Sequence, residues 1–201
     1  MTLDHIAKKY DLDLDAKPPI VLNGTRDKDL AGLFAELGFI KGAEIGVEQG
    51  VYAKTLCQAN PKMTLYCIDP WKAYPDYREH ISQPKLDGFF KETKARLVPY
   101  KHKIIRDFSD NACKQFKDES LDFVYIDGNH EFFYVANDIV KWMPKVRKGG
   151  IIAGHDFRRN SGRYTNDVKD VISSYTNAKR IKPWFILDER PAASSWFWVK
   201  L

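Results

Sequence analysis

Short apolar segments alternate with amphipathic ones along most of the chain. The apolar segments have the length and composition of buried β-strands and lie at residues 43–47, 64–69, 102–107, 121–127 and 149–156. Between them, apolar residues recur at helical spacing, which predicts helices over residues 26–38, 51–59, 84–97, 109–116, 131–145 and 166–175. Because strands that are apolar almost throughout are covered on both faces, this alternation predicts a mainly parallel sheet between two layers of helices.

The C-terminal end breaks the alternation. Residues 184–188 and 195–200 are further strand candidates, and the short turn at Glu189-Arg190-Pro191 leaves no room for a crossover helix. The two segments should therefore pair as an antiparallel hairpin. The predicted fold is a Rossmann-like three-layer α/β sandwich, with a seven-stranded, mostly parallel sheet and one antiparallel strand from the C-terminal hairpin.

Length and composition agree with one globular domain. The chain has 201 residues, of which 44% are hydrophobic and 29% charged, and these are ordinary values for a folded protein. We expect residues 25–201 to form this domain, and residues 1–24 to be an N-terminal extension in which Pro18-Pro19 breaks any helix.

Charge, cysteine content and the length of apolar segments indicate which partners and which cellular location to expect. The formal net charge of +5 favours anionic ligands, but the sequence has neither a dense lysine and arginine run nor zinc-finger spacing, so we expect no nucleic-acid partner. Three cysteines are too few for a disulfide framework, which favours a reducing, cytoplasmic location. No segment approaches the 18 or so apolar residues of a membrane-spanning helix, and we expect no membrane association.

Polar residues follow the predicted strands where each one ends. In an open α/β sheet, ligands bind outside the carboxyl ends of the strands, so these positions are candidates for a site. In chain order the candidates are Glu44, Gly46, Glu48, Gly50, Asp69, Asp107, Ser109, Asp127, His130, His155 and Asp156.

The loop after the first strand favours a cationic ligand over a diphosphate. Gly46 and Gly50 permit a sharp turn and close approach of a ligand, although a plain tight turn would need the same residues. Their spacing is not the G-x-G-x-x-G of dinucleotide-binding folds, and Glu44 and Glu48 would repel a diphosphate. Nineteen residues after Gly50, Asp69 can accept protons from ribose hydroxyls or can serve as a turn or capping residue before the next helix.

Four segments together carry a family resemblance. E-I-G-V-E-x-G, C-I-D-P-W, L-D-F-V-Y-I-D-G-N-H and K-G-G-I-I-A-G-H-D-F resemble class I S-adenosylmethionine-dependent methyltransferases over roughly residues 40–160. The chain is most similar to the small-molecule O-methyltransferase branch that includes macrolide sugar methyltransferases. The resemblance implies methyl transfer from S-adenosylmethionine to an oxygen, less readily a nitrogen, of a small-molecule acceptor. Two other classes stay open: a nucleotide-binding oxidoreductase on a similar sheet, and a non-catalytic binding module with this fold.

The resemblance also implies roles for individual residues in the cofactor site. Glu44, Gly46 and Gly50 would hold the methionine moiety and Asp69 the ribose. Asp127 would also contact the cofactor. Asp107 and Ser109 would lie near the adenine, although Ser109 could equally be the N-cap of the following helix.

Asp127-x-x-His130 is the candidate catalytic pair. Histidine titrates near neutrality, so His130 can take a proton from an acceptor hydroxyl during methyl transfer; the alternative is that it caps or orients the next helix. In the resembled branch, this motif supplies a metal ligand and a base. Asp127, His155 and Asp156 are the expected ligands of a divalent cation, namely Mg²⁺, Mn²⁺ or Zn²⁺. Because His155 stands where the family has an acidic or amide residue, Zn²⁺, Mn²⁺ or Fe²⁺ suits the set better than Mg²⁺, and a metal-free substrate site stays open.

Two loops are candidates for the acceptor side. Residues 71–78 are aromatic and charged and are expected to form a lid. Residues 157–164 carry Arg158, Arg159 and Arg163, which would recognise a carboxylate or phosphate on an anionic acceptor or else form a solvated surface. The sequence leaves the oligomeric state open, with a homodimer as one option.

Overall fold

A single sheet of eight strands organises the molecule. The computed structural model describes residues 1–75, 81–158, 166–190 and 193–201. The strand order across the sheet is β1-β7-β8-β6-β5-β2-β3-β4. Strand β8 runs antiparallel to both of its neighbours, whereas every other pair is parallel. The strands are β1 (Ile20–Asn23), β2 (Lys41–Ile45), β3 (Thr64–Ile68), β4 (His102–Ile105), β5 (Leu121–Ile126), β6 (Val146–Phe157), β7 (Phe185–Asp188) and β8 (Ser194–Val199).

Seven α-helices within the described residues connect and cover these strands. A π-helical turn at Arg26–Leu30 leads into α2, and 3₁₀ turns at Cys113–Gln115 and Met143–Lys145 extend α5 and α6. The helices are α1 (Thr2–Tyr10), α2 (Ala31–Glu36), α3 (Val51–Ala59), α4 (Gln83–Leu97), α5 (Ser109–Ala112), α6 (Phe132–Trp142) and α7 (Val168–Ala178). The predicted mixed α/β sandwich with a C-terminal antiparallel hairpin is confirmed.

The strand count of seven needs correction to eight. The additional strand, Ile20–Asn23, lies in the segment expected to be an extension and pairs in parallel with β7. Its four residues follow two prolines and show no long apolar pattern, so only pairing with a strand far away in the chain defines it. The boundary at residue 24 stays a prediction, although Ile6 and Leu22 on its N-terminal side are buried in the same core as the rest of the chain.

Hydrophobic clusters cover the two faces of the sheet. On one face, Phe34 of α2 stacks on Phe123 of β5 with ring centroids 4.0 Å apart. On the other face, Ile139 and Trp142 of α6 pack with Trp196 of β8. The three cysteines are free and buried in these clusters. Among the described residues, no helix has the length and apolar character needed to cross a bilayer.

The parallel register brings the ends of distant strands together. Ile45 at the end of β2 lies beside both Ile68 of β3 and Ile126 of β5. Ile126 in turn lies beside Gly154 of β6. The polar residues that follow these positions therefore emerge side by side at one edge of the sheet, where open α/β sheets bind their ligands.

Candidate active site

A cavity of about 710 Å³ lies over the carboxyl ends of β2, β3, β4, β5 and β6. Gly50 and Asp107 do not line it. The residues predicted from the sequence that do line it are Glu44, Gly46, Glu48, Asp69, Ser109, Asp127, His130, His155 and Asp156. The structure thus brings nearly all of the candidates, from five separate strand ends, into one site.

The two glycines of the first loop act in different ways. Gly46 has a φ of +85°, and a Cβ placed on it would lie 2.1 Å from the carbonyl oxygen of Asp127. Since no side chain fits there, the β2 loop can lie directly against the β5 end, which shapes the cavity floor. Gly50 has a φ of +71° and begins α3, where a Cβ would meet Thr93 at 3.0 Å. Gly50 therefore supports the loop from behind the cavity.

Asp69 ties the ends of β2 and β3 together. Its Oδ2 accepts hydrogen bonds from the backbone N–H groups of Val47 at 3.0 Å and Glu48 at 2.9 Å. Its Oδ1 accepts one from Trp71 at 2.7 Å, which is the turn role considered for this residue. Burial raises the pKa of Asp69, and these three N–H groups oppose the rise. The contact with ribose stays a prediction.

Glu44 is a buried carboxyl group directed into the cavity. It is only 2% exposed, and its Oε2 has no hydrogen-bond partner within the described part of the chain. Burial raises its pKa well above the usual range, repulsion by Asp127 adds to the rise, and the charge of Arg26 opposes it. A buried carboxyl group without a partner is costly, so a cationic ligand group would supply the interaction that Glu44 lacks.

Arg26 is a cavity residue that the sequence did not reveal. Its Nη1 donates to Asp127 Oδ2 at 2.8 Å and to the hydroxyl of Tyr125 at 3.3 Å. The guanidinium carbon lies 4.8 Å from the ring centroid of Tyr52. Arg26 and Asp127 are 101 residues apart, and Arg26 belongs to no motif, so no local pattern could have joined them.

Asp127, His130 and Asp156 form a compact cluster. His130 Nε2 lies 3.5 Å from Asp127 Oδ1 and 3.2 Å from Asp156 Oδ2. His155 Nδ1 is 3.3 Å from Asp156 Oδ2 and 3.9 Å from Asp127 Oδ1. One ligand atom from each of Asp127, His130 and Asp156 lies within 4.8 Å of the others, so these three residues could hold a metal ion. His155, the predicted ligand, lies beside them, and its role stays a prediction.

The neighbouring basic side chains keep both carboxyl groups of this cluster ionised. Burial alone would raise the pKa of Asp127, but His130, His155 and Arg26 more than offset it, and the pKa is lowered. Burial acts in the same sense on Asp156, where His155, His130 and Arg158 lower the pKa to about 2. The cluster therefore presents two negative charges around an imidazole at neutral pH.

Of the two residues predicted to lie near the adenine, only Ser109 lines the cavity. Asp107 Oδ1 accepts from the N–H of Phe108 at 2.7 Å, outside the cavity lining. Ser109 lines the cavity and is not an N-cap, since Phe108 takes that position. Its hydroxyl donates to Asp138 Oδ1 at 2.5 Å and accepts from Trp142 Nε1 at 2.7 Å.

Asp138 is a second cavity residue missed from the sequence. It lies on α6 among apolar side chains and is 6% exposed. Burial raises its pKa to about 7, against a usual 3.8, while the hydrogen bond from Ser109 opposes the rise. The only signal in the sequence was one acidic residue on an otherwise apolar helical face.

The raised pKa of Asp138 predicts a pH-dependent stability. Between about pH 4 and pH 7, the folded chain keeps a proton on Asp138 that the unfolded chain releases, so the free energy of unfolding should fall as the pH rises through this range. Above about pH 7 the folded chain has also released this proton, and the free energy of unfolding no longer changes through Asp138. Asp138→Asn should abolish this contribution, as measured by urea unfolding at about pH 5 and about pH 8.

Asp118→Asn is the matched control for this measurement, because Asp118 is an aspartate whose side chain is 68% exposed. It should retain the pH dependence of the wild type. An Asp138→Asn variant with the same pH dependence as the wild type would contradict the assignment.

The two predicted acceptor loops are described only in part. Trp71 is fully buried, and its Nε1 donates to the carbonyl oxygen of Glu48 at 2.7 Å, so the expected lid begins with a residue fixed in the core. Arg158 Nε lies 3.1 Å from Asp156 Oδ1. The remaining predicted lid positions 76–78, and Arg159 and Arg163 of the basic loop, lie outside the described residues.

The sequence matches a known family over the segment that builds this site. A family profile described as "Methyltransferase domain" matches residues 43–157, more than half of the chain. The chain belongs to this methyltransferase family. The motif-based identification as a class I S-adenosylmethionine-dependent methyltransferase is confirmed at the family level, and S-adenosylmethionine is the cofactor of such enzymes. No curated protein matches the sequence.

Solved structures of low sequence identity share the fold of this methyltransferase. An O-methyltransferase from Bacillus cereus in complex with SAH is 14% identical, with a TM-score of 0.63, covering 99% of this chain and 89% of that one. An rRNA methylase from Streptococcus thermophilus is 13% identical, with a TM-score of 0.62, covering 88% of this chain and 98% of that one. At such identities the likeness shows the fold and leaves the acceptor undefined.

Proposed function

We propose that this methyltransferase transfers a methyl group from S-adenosylmethionine to an oxygen of a small-molecule acceptor, with His130 as the general base. The observation that carries the proposal is one cavity that holds an unpartnered carboxyl group, Glu44, and an imidazole between two carboxylates. Its volume of about 710 Å³ suits a cofactor together with a small acceptor.

The cofactor half of the cavity would be built from β2 and β3. The buried Glu44 would accept the ammonium group, and the loop of Gly46, held against the end of β5, would form the floor under the methionine chain. Asp69 would bind the ribose with the acceptor capacity that its three N–H contacts leave. When bound, S-adenosylmethionine supplies an electrophilic methyl group on a sulfonium.

The acceptor half would be built from β5 and β6. His130 would take the proton of the acceptor hydroxyl, and the carboxylates at 3.5 Å and 3.2 Å would orient the ring and stabilise the imidazolium that forms. Holding acceptor and methyl group in line would supply much of the rate enhancement.

The same residues fit a divalent cation. Two ionised carboxylates and an imidazole, with ligand atoms within 4.8 Å, are a donor set that suits Mn²⁺ or Zn²⁺. Asp127, His130 and Asp156 would hold the cation, which would lower the pKa of a bound hydroxyl. Nε2 of His130 either carries a proton that it donates to the two carboxylates, which the general base requires, or binds the cation, so the two arrangements exclude each other.

The experiment that tests this proposal must distinguish a small-molecule acceptor from a nucleic acid. The test is formation of S-adenosylhomocysteine by the full chain with S-adenosylmethionine and, separately, phenols, catechols, sugars, small amines and a structured RNA. We expect turnover with a small hydroxyl compound, together with calorimetric binding of S-adenosylhomocysteine. Methylation of the RNA or of amines alone would overturn the acceptor assignment, and a lack of any binding would overturn the function. A cytoplasmic location is part of the proposal, because the three free cysteines suit a reducing compartment.

A further inference from the structure

Arg26 reaches the active-site cavity from outside the family segment. It precedes residues 43–157, yet it lines the cavity. The π-helical turn that carries it is capped by Thr25, whose Oγ1 accepts from the N–H of Lys28 at 3.3 Å and whose own N–H donates to Asp29 Oδ2 at 2.8 Å. The backbone at Arg26 is therefore anchored locally, and its side chain is directed towards β5.

The guanidinium of Arg26 is held in place by some of its N–H groups and keeps others available for a ligand. Nη1 makes both hydrogen bonds, to Asp127 and to Tyr125, while Nε lies 3.9 Å from Asp27 Oδ1. The hydroxyl of Tyr52 donates to the carbonyl oxygen of Arg26 at 3.3 Å, and the Tyr52 ring lies beneath the guanidinium. Within the described residues Nη2 has no hydrogen-bond partner, so its N–H groups can bind a ligand.

Arg26 also lies within electrostatic range of Glu44. Its positive charge opposes the rise in the pKa of that buried carboxyl group. An α-amino acid carries its ammonium and carboxylate on the same carbon atom. If Glu44 accepts the ammonium, the carboxylate must lie a few ångströms away, where a guanidinium would offset the cost of burying its charge.

Among the described residues that line the cavity, Arg26 and Lys72 are the lysine and arginine side chains. Lys72 is exposed and follows Asp69 by three positions, at the end of β3 where the ribose is expected. Arg26 contacts the end of β5 next to the loop of Gly46, where the methionine moiety is expected. Arg26 is thus the cation on the amino-acid side of the cavity.

We infer that Arg26 binds the α-carboxylate of the cofactor's methionine moiety through Nη2 while Nη1 stays on Asp127. This assignment rests on the proposed function. Glu44 and Arg26 would then recognise the two charges of the amino acid as a pair. A ligand without the carboxylate would gain nothing from Arg26, which separates this role from a purely structural one.

Calorimetry of Arg26→Gln with three ligands tests the assignment. S-adenosylhomocysteine carries both charges, S-adenosyl-3-thiopropylamine keeps the amine but lacks the carboxylate, and 5′-methylthioadenosine lacks both. We expect the affinity of the variant for S-adenosylhomocysteine to fall roughly 10- to 100-fold, as for loss of a charge-assisted hydrogen bond. The affinity for S-adenosyl-3-thiopropylamine should fall much less than that for S-adenosylhomocysteine, and the affinity for 5′-methylthioadenosine should change less than about threefold. Arg26→Lys, which keeps the charge without the planar fork, should recover part of the loss.

Arg147→Gln is the matched control. Arg147 Nε donates to Asp122 Oδ1 at 2.6 Å and its guanidinium lies 5.3 Å from the Phe39 ring centroid, but it does not line the cavity. It should leave all three affinities unchanged. Equal losses for S-adenosylhomocysteine and S-adenosyl-3-thiopropylamine in both Arg26 variants would overturn the carboxylate role. Failure of the wild-type chain to bind any ligand would instead overturn the proposed function, and with it this role.

Discussion

Replacing Gly46 with alanine is expected to abolish binding of the cofactor and to destabilise the fold. The added Cβ would lie 2.1 Å from the carbonyl oxygen of Asp127, and the backbone there has a φ of +85°. Neither backbone can withdraw without separating the ends of β2 and β5. The strained conformation and the overpacking together should cost about 3 kcal/mol or more of unfolding free energy.

Urea unfolding and calorimetry with S-adenosylhomocysteine measure the two effects. Gly88→Ala is the control, because Gly88 lies inside α4 with no atom within 4 Å of an added Cβ. Alanine there should stabilise the helix by about 0.5 to 1 kcal/mol and leave binding intact. If Gly46→Ala were as stable as the wild type and bound the ligand as tightly, the close contact between the two strand ends would be refuted.

Replacing His130 with alanine should remove most of the turnover while leaving cofactor binding nearly unchanged. The imidazole lies between Asp127 and Asp156, in the half of the cavity that we assign to the acceptor. Loss of a general base lowers the rate by roughly 10²- to 10⁴-fold. The measurement is turnover with the acceptor that the wild-type enzyme methylates, alongside calorimetry with S-adenosylhomocysteine.

His102→Ala is the control for this variant. His102 lies on β4, where Nδ1 is 2.9 Å from the carbonyl oxygen of Tyr100, and it does not line the cavity. Turnover of His130→Ala equal to that of the wild type would exclude His130 as the base. Wild-type activity that survives EDTA treatment would support the base, whereas activity lost with EDTA and restored by Mn²⁺ would make His130 a ligand.

Much of this site followed from local sequence alone. Periodicity located the strands, and parallel strands place their carboxyl ends at one edge, so Asp69, Asp127 and Asp156 could be assigned to a common cavity before any contact was known. Motif spacing then identified the family, as the match over residues 43–157 confirms. The spacing of Gly46 and Gly50 distinguished this loop from the G-x-G-x-x-G loop of dinucleotide-binding folds.

Other features depended on contacts that no periodicity encodes. Gly50 and Asp107 belong to the loops that follow β2 and β4, yet neither lines the cavity. The side chain of Asp107 turns back to the N–H of Phe108 instead. Asp138 has a raised pKa only because the folded chain buries its carboxyl group beside Ser109. His130 joins Asp127 and Asp156 in a set of possible metal ligands through side-chain directions that one sequence does not record, and the role of His155 stays a prediction.

The sequence by itself determined the sheet, its hairpin and the residues at the strand ends, because side-chain periodicity and strand direction are local properties. The tertiary structure decided that Ile20–Asn23 is an eighth strand and that Arg26 contacts Asp127. Both depend on pairing with residues far along the chain. The loop after β2 shows both levels: its glycines were visible in the sequence, but the packing of Gly46 against the β5 end, which leaves no space for a Cβ, exists only in the folded molecule.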